Sequence, residues 1–439
     1  MKFNDFKQYF KNIDYFSPYI FILLFILYIA IGIPCLYFSD LLKPPSIYVY
    51  FYILIALLFF IIGLQVSKLI LQFLKIKFNI TNLFNINSNE NNSFNENNSF
   101  DSKNNEHNSK NNEYNGKDDD YNNKNESKVL KNDKKNNRYN KLEIALFLMV
   151  IGGIILQIVN FIYLGGIPLF SGALKAKAAT KIWLFSFILF IIGINSLFAK
   201  FNRKINYLLF IIGIILFALT GYRTTAIAII LSVFITLYYV KDFKIKDYLF
   251  FSVLLIAILV IVGYIAIKAI EWQTWSIGPF ELISYRAGFT LNILDRVINH
   301  QAITEGNIFY YTLTGFFNGV DPRTIVGKTV VYHYHSITST ILGPVLLDFG
   351  SYFMALQMFI IGLILKLAHG IQKIYKSLSQ ISILTAFYGI ILAQTLIWIE
   401  TGPTDLVVWL FYLITMILIV YSIFNLKKIA KNKKESKEG

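Results

Sequence analysis

Long apolar runs separated by short polar stretches dominate the chain, and most approach the roughly 20 residues that a helix needs to cross a bilayer. They fall at Pro18–Phe38, Ile47–Leu74, Leu142–Leu164, Ile182–Ala199, Ile205–Thr220, Thr224–Val240, Tyr248–Lys268, Gly343–Leu367, Ile381–Ile399 and Leu406–Phe424. The predicted fold is therefore all-α, a polytopic membrane protein of about ten transmembrane helices. No small-residue cleavage site follows the first run, which is long enough to span and is expected to be retained.

The polar stretches differ in kind. Residues 79–140 are asparagine-rich and nearly free of aliphatic side chains, as in "NINSNENNSFNENNSF". Such a segment buries too little apolar surface to fold, so a disordered loop is predicted there. The chain then divides into helices 1–2 (1–78), this loop (79–140), helices 3–7 (141–268), an outer loop with an amphipathic helix (269–336), and helices 8–10 with a basic tail (337–439).

Composition supports the membrane reading. The 439 residues are 55% hydrophobic and only 15% charged, where a soluble chain carries about 25% charge. The net charge of +15 would suggest a nucleic-acid partner in a soluble protein. In a membrane protein it is explained by Lys and Arg collecting in cytoplasmic loops, and no nucleic acid is expected. The single cysteine, Cys35, can form no intrachain disulfide. Lys2, Lys7 and Lys11, Lys200, Arg203 and Lys204, Lys241 to Lys246, Lys366 to Lys376 and the tail from Lys427 all fall on one side if both termini are cytoplasmic.

Between Ile205 and Val240 the sole charge is Arg223. The parity of the basic loops requires this tract to cross twice. Yet about 36 helical residues extend roughly 54 Å, and two crossings of a 30 Å core need about 60 Å. The hairpin is short, so its tip at Gly221-Tyr222-Arg223 is expected below the outer surface. An ionisable residue at that depth is a functional candidate; the alternative is an arginine snorkelling to the headgroups.

Two outward loops break the charge rule. "GGIPLFSGALKAKAATK", Gly165 to Lys181, holds Lys175, Lys177 and Lys181 and no acid. It is read as a rigid turn that offers a site for an anion such as phosphate, or lies against anionic headgroups. The second, Ala269 to Ser336, carries many aromatic residues, and "ELISYRAGFTLNILDRVINH" reads as an amphipathic helix near the interface, with Arg286 at its start. Asp321-Pro322-Arg323 reads as a turn, and Arg323 adds outer positive charge.

For acid–base chemistry His333, His335, Asp348 and Glu281 compete. Two histidines without a third ligand fall short of a metal site. No Walker loop, dinucleotide fingerprint, HExxH or GxSxG occurs, and no cofactor is expected.

Taken in order, "GGIPLFSG", "GYRT", "YRAGFTLNILDRVIN" and "TSTILGPVLLDFGSYF", spanning Gly165 to Tyr352, resemble the oligosaccharide repeat unit polymerases of the O-antigen polymerase type in bacteria and archaea. The resemblance implies a GT-C-like, lipid-dependent glycosyltransferase. Such an enzyme moves a glycan from polyprenyl or dolichyl pyrophosphate to a sugar hydroxyl of the next lipid-linked repeat, outside the cytoplasm. It implies lipid-linked oligosaccharide as partner, a chain-length regulator as a candidate one, and pyrophosphate-binding arginines, whose role falls by position to Arg223 and Arg286. Lys175, Lys177 and Arg323 are the further cations of this expected site. A flippase of lipid-linked oligosaccharide and a glycan ligase remain the alternatives.

Overall fold

The computed structural model describes residues 14–77, 141–201, 203–241, 243, 245–257, 260–261, 265, 278–331, 335–377 and 382–438. These residues form fourteen α-helices and, among them, no strand. In chain order they are α1 (Ile20–Tyr37), α2 (Ile47–Lys77), α3 (Lys141–Leu164), α4 (Gly172–Lys177), α5 (Lys181–Lys200), α6 (Lys204–Ala218), α7 (Arg223–Val240), α8 (Ile245–Ala257), α9 (Pro279–Ile298), α10 (Asn307–Asn318), α11 (Pro322–Val330), α12 (Gly343–Ser377), α13 (Ile383–Thr401) and α14 (Leu406–Glu438). The protein is thus an all-α, multi-pass membrane protein. Eight helices, α1, α2, α3, α5, α7, α12, α13 and α14, are long and apolar enough to span.

Two of the ten predicted spans differ. The fifth is the apolar helix α6 of 15 residues, about 22 Å at 1.5 Å per residue. The seventh is α8 up to Ala257, and much of its remainder lies outside the described residues. The Asn-rich segment 79–140, Trp272, Trp275 and His333 also lie outside them.

Helix α13 runs through the middle of the bundle, with most of its residues buried, and packs along α7 and against α5. Around it α2 pairs with α12, α3 with α5, and α9 with α1. Lipid offers no hydrophobic driving force between helices, so close approach of small residues carries much of the packing. Gly63 and Gly362 show it: a Cβ on Gly63 would lie 2.2 Å from the Phe359 carbonyl oxygen, and one on Gly362 would lie 2.4 Å from that of Phe60. Polar side chains add interhelical bonds. Asn195 on α5 donates to Ser232 Oγ at 3.0 Å and accepts from Thr236 Oγ1 at 2.9 Å, both on α7.

One end of this core is clasped by the segment that precedes α1. Asp14 accepts a hydrogen bond from Tyr239 at 2.7 Å, pairs with His369 at 2.8 Å, and meets Lys373. Burial opposes ionisation of Asp14, but the bonds from His369, Lys373 and Tyr239 outweigh it and hold the carboxyl well below the usual range. Tyr388 on α13 closes the clasp by donating to the Phe16 carbonyl at 2.6 Å. Tyr239 ends α7 and Arg223 begins it, so the clasp and Arg223 lie at opposite ends of one 18-residue helix.

Candidate functional site: a carboxylate between two arginines

The tip of the α6–α7 hairpin is a tight turn. Gly221 has φ of +76°, a conformation that costs a side-chain-bearing residue energy. Thr220 braces the turn by accepting from the Tyr222 amide at 3.2 Å. Helix α6 ends at Ala218 and helix α7 starts at Arg223 itself. No side chain caps that start, so backbone N–H groups and a guanidinium share one helix end and make it strongly positive.

The Gly165–Lys181 loop docks on this tip. It is more ordered than a rigid turn: a 3-10 turn at Pro168–Phe170 leads into α4, whose first turn is capped by Ser171. The Leu169 amide donates to the Leu219 carbonyl at 2.9 Å, and Tyr222 Oη donates to the Lys175 carbonyl at 2.9 Å. Lys175 is thereby carried in among the other cations. Burial, and then the charges of Arg223 and Arg286, push its ammonium pKa down. Lys177 sits two residues on, exposed.

Arg286 stands on α9. Its helix starts at Pro279, so Arg286 lies two turns in rather than at the start. Pro at a first helical position explains the earlier start, because its missing N–H has no partner to lose there. Helix α9 is anchored on α1, where Ser284 Oγ accepts from the Cys35 amide at 3.2 Å.

Arg223 and Arg286 meet on a residue that the sequence reading passed over, Glu400. Arg223 Nη2 lies 3.2 Å and Arg286 Nε 3.0 Å from the same oxygen, Glu400 Oε1. Arg286 also donates to Thr338 Oγ1 at 3.4 Å. Glu400 occupies the last turn of α13, one residue beyond the predicted span end at Ile399. The helix stops at Gly402, whose φ is +76°. Arg223 and Glu400 are only 20% and 25% exposed, so their pairing is less weakened by solvent than a surface ion pair. The buried Tyr28 hydroxyl lies close to Thr290 and within electrostatic reach of Glu400, Arg286 and Arg223.

Arg323 lies in an adjoining cluster. The Asp321-Pro322-Arg323 turn proves to be a helix start: Asp321 caps α11 by accepting from the Arg323 amide at 3.0 Å, with Pro322 in the first turn. The same carboxylate takes Arg323 Nε at 3.0 Å. Burial alone would pull the Arg323 guanidinium pKa down, but Asp405 and Asp321 outweigh it and push it up. Its charge is already balanced, unlike the excess around Glu400.

The acid–base candidates are dispersed. Asp348 lies near the start of α12 and accepts from Thr304 Oγ1 at 2.6 Å and from the amides of Ile308 and Phe309 at 3.0 and 2.6 Å. That set caps α10 with a carboxylate, which engages Asp348 structurally. Glu281 is exposed in the first turn of α9, and His335 is exposed in the loop before α12. His333 is outside the described residues.

The family model described as "Putative O-antigen polymerase" matches residues 14–412. The chain belongs to this O-antigen polymerase family. It is 31% identical over 308 residues to an uncharacterized protein of Methanocaldococcus jannaschii, covering 68% of this chain and 81% of that one. It is 30% identical over 239 residues to a second uncharacterized protein of the same organism, covering 54% and 57%. No solved structure matches. The matched range takes in Lys175, Arg223, Arg286, Glu400 and Asp405, so this O-antigen polymerase family member has its whole cationic cluster inside the family region.

Proposed function

We propose that the protein polymerises lipid-linked oligosaccharide repeat units on the outer face of the cytoplasmic membrane, with both termini inside. The reading is of a GT-C-like glycosyltransferase. A glycan leaves polyprenyl or dolichyl pyrophosphate and joins a sugar hydroxyl of the next lipid-linked unit. The observation that carries it is the convergence of Arg223 and Arg286, 63 positions apart, on one carboxylate oxygen, with Lys175 beside them. Cleavage of a glycosyl–pyrophosphate bond leaves concentrated negative charge on the departing diphosphate. Fixed cations in a partly desolvated site stabilise that charge as it develops. Arginine suits the task because its planar fork matches phosphate oxygens and stays charged when buried. Family membership supports the same reaction class.

Purified protein in lipid vesicles, supplied with lipid-linked repeats and no nucleotide, is expected to lengthen the glycan. R223A and R286A are each expected to lower extension on the order of 100-fold or more, as removal of one anion-stabilising donor does, while still accumulating in the membrane. Extension at the wild-type rate in both variants would refute the assignment. Passage of repeats across the bilayer with no lengthening would favour a flippase.

A further inference from the structure

We propose that Glu400 is the catalytic base of this polymerase and that it holds the diphosphate's place while the site is empty of donor. The proposal rests on the polymerase reading. Glu400 Oε1 takes both guanidiniums at 3.2 and 3.0 Å, and neither bond uses Oε2. The two arginines belong to separate elements, the start of α7 and the middle of α9, and the carboxylate is what joins them. An anion sits where an anionic substrate would sit. The charges agree: Arg223 and Arg286 meet one carboxylate and Lys175 lies within electrostatic reach of both arginines, so the cluster has two positive charges over. A diphosphate diester carries two negative charges.

Elements around this centre carry buried polar groups. Among the described residues the hydroxyls of Ser339 and Thr404 are buried without a hydrogen bond, and the buried Tyr28 hydroxyl has only Thr290 near it. A buried polar atom left unpaired is costly and calls for an explanation. Ser339 follows Thr338, which bonds Arg286. Thr404 lies four residues after Glu400, in a loop that touches the first: a Cβ on Gly402 would stand 2.8 Å from the Thr340 carbonyl oxygen. The three hydroxyls thus come from elements that border the arginine pair, where a sugar rich in hydroxyls would need partners.

While two guanidiniums hold Oε1 they offset the carboxylate's charge, so neither of its oxygens draws a substrate proton strongly. When the donor's diphosphate takes Arg223 and Arg286, Glu400 is released. The acceptor hydroxyl oxygen then attacks the anomeric carbon of the donor glycan. The bond from that carbon to the phosphate oxygen breaks, its electron pair leaves with the lipid diphosphate, and the hydroxyl proton passes to the Glu400 carboxylate. Base release is thereby tied to donor binding.

The test measures two quantities on E400Q and E400D in vesicles: binding of a polyprenyl diphosphate that carries no sugar, and extension of lipid-linked repeats. E400Q is expected to bind the diphosphate at least as tightly as the wild type, since the competing charge is gone. Its kcat for extension is expected to fall about 100- to 10,000-fold, the range for loss of a general base, with the donor KM unchanged or lower. E400D, with the carboxylate set back by one carbon, is expected to bind equally and recover part of kcat. Wild-type kcat in E400Q overturns the proposal, and so does loss of diphosphate binding together with activity, which marks a merely structural carboxylate. Should E400Q fail to accumulate, unchanged kcat in E400D overturns it. A wild-type protein that extends nothing removes the polymerase reading and the base with it, an outcome separate from all of these.

Discussion

Each basic side chain at the arginine cluster has a different charge environment, and that difference sets what it does. Lys175 sits among like charges, so its ammonium is held below the ordinary lysine range, by burial first and then by Arg223 and Arg286. A bound dianion favours the charged form, so affinity for a lipid diphosphate is expected to fall as pH rises through that depressed pKa, by up to about tenfold per pH unit. Titration of binding against pH checks this: K175R, whose charge persists, should flatten the decline, and an equally steep decline in K175R would count against it. Arg323 is the opposite case. Its charge is balanced by Asp321 and Asp405, so R323A is expected to lower extension by less than tenfold, well short of R223A or R286A. Equal loss in the same extension assay would mean that Arg323 shares the diphosphate. Arg223 and Arg286 were legible from sequence because a lone arginine in an apolar tract and an arginine in an amphipathic outer helix are anomalies in themselves. Glu400 was not, because its meaning comes only from the partners the fold brings to it. A signal was present: from Ser377 to Leu426 there is no Lys or Arg, and the loop within it, Glu400 to Asp405, is purely acidic, the complement of the purely basic Gly165–Lys181 loop.

Element lengths place these residues. Helix α6 has 15 residues, and the Gly221 turn follows at once, so Arg223 cannot be carried as far as a full crossing would take it. The pairing of α2 with α12 supplies a separate test. Adding a methyl group to Gly63 puts carbon 2.2 Å from a carbonyl oxygen and 3.0 Å from the Leu363 amide nitrogen, both backbone atoms of the other helix. G63A is expected to destabilise the protein by about 1–3 kcal/mol, the usual cost of overpacking, read as a lower unfolding temperature in detergent with the folded fraction still active. An unchanged temperature would show that the helices separate freely. The periodic apolar runs foretold most of these helices because span length is imposed by the bilayer rather than by neighbours. The ends were less legible: α9 starts at Pro279 with no side-chain cap, and the helix at Pro322 depends on the Asp321 cap, where Asp321 and Pro322 serve a turn or a helix start equally well in sequence.

At the scale of the molecule, α7 and α13 run together from the arginine cluster to the Asp14 clasp. The clasp joins the segment before α1 to α7, α12 and α13. D14N removes a charge that three side chains are arranged to bind, and is expected to cost about 1.5–3 kcal/mol, as loss of a charged hydrogen bond does. Thermal unfolding in detergent checks it, and full stability would show that the clasp holds nothing. This contribution is present above the ordinary aspartate pKa of about 4 and is lost only as pH falls through the lower value of the folded protein. The clasp escaped the sequence reading because Asp14 and His369 are 355 positions apart. At the other end Arg223 and Arg286 are assigned to hold a diphosphate. The most direct measurement of that role is the dissociation constant of a polyprenyl diphosphate for the purified protein and for the R223A/R286A double variant. The account predicts a loss of at least about 100-fold, two charged hydrogen bonds at about 1.5 kcal/mol or more each. Equal affinity in the wild type and the double variant would contradict it.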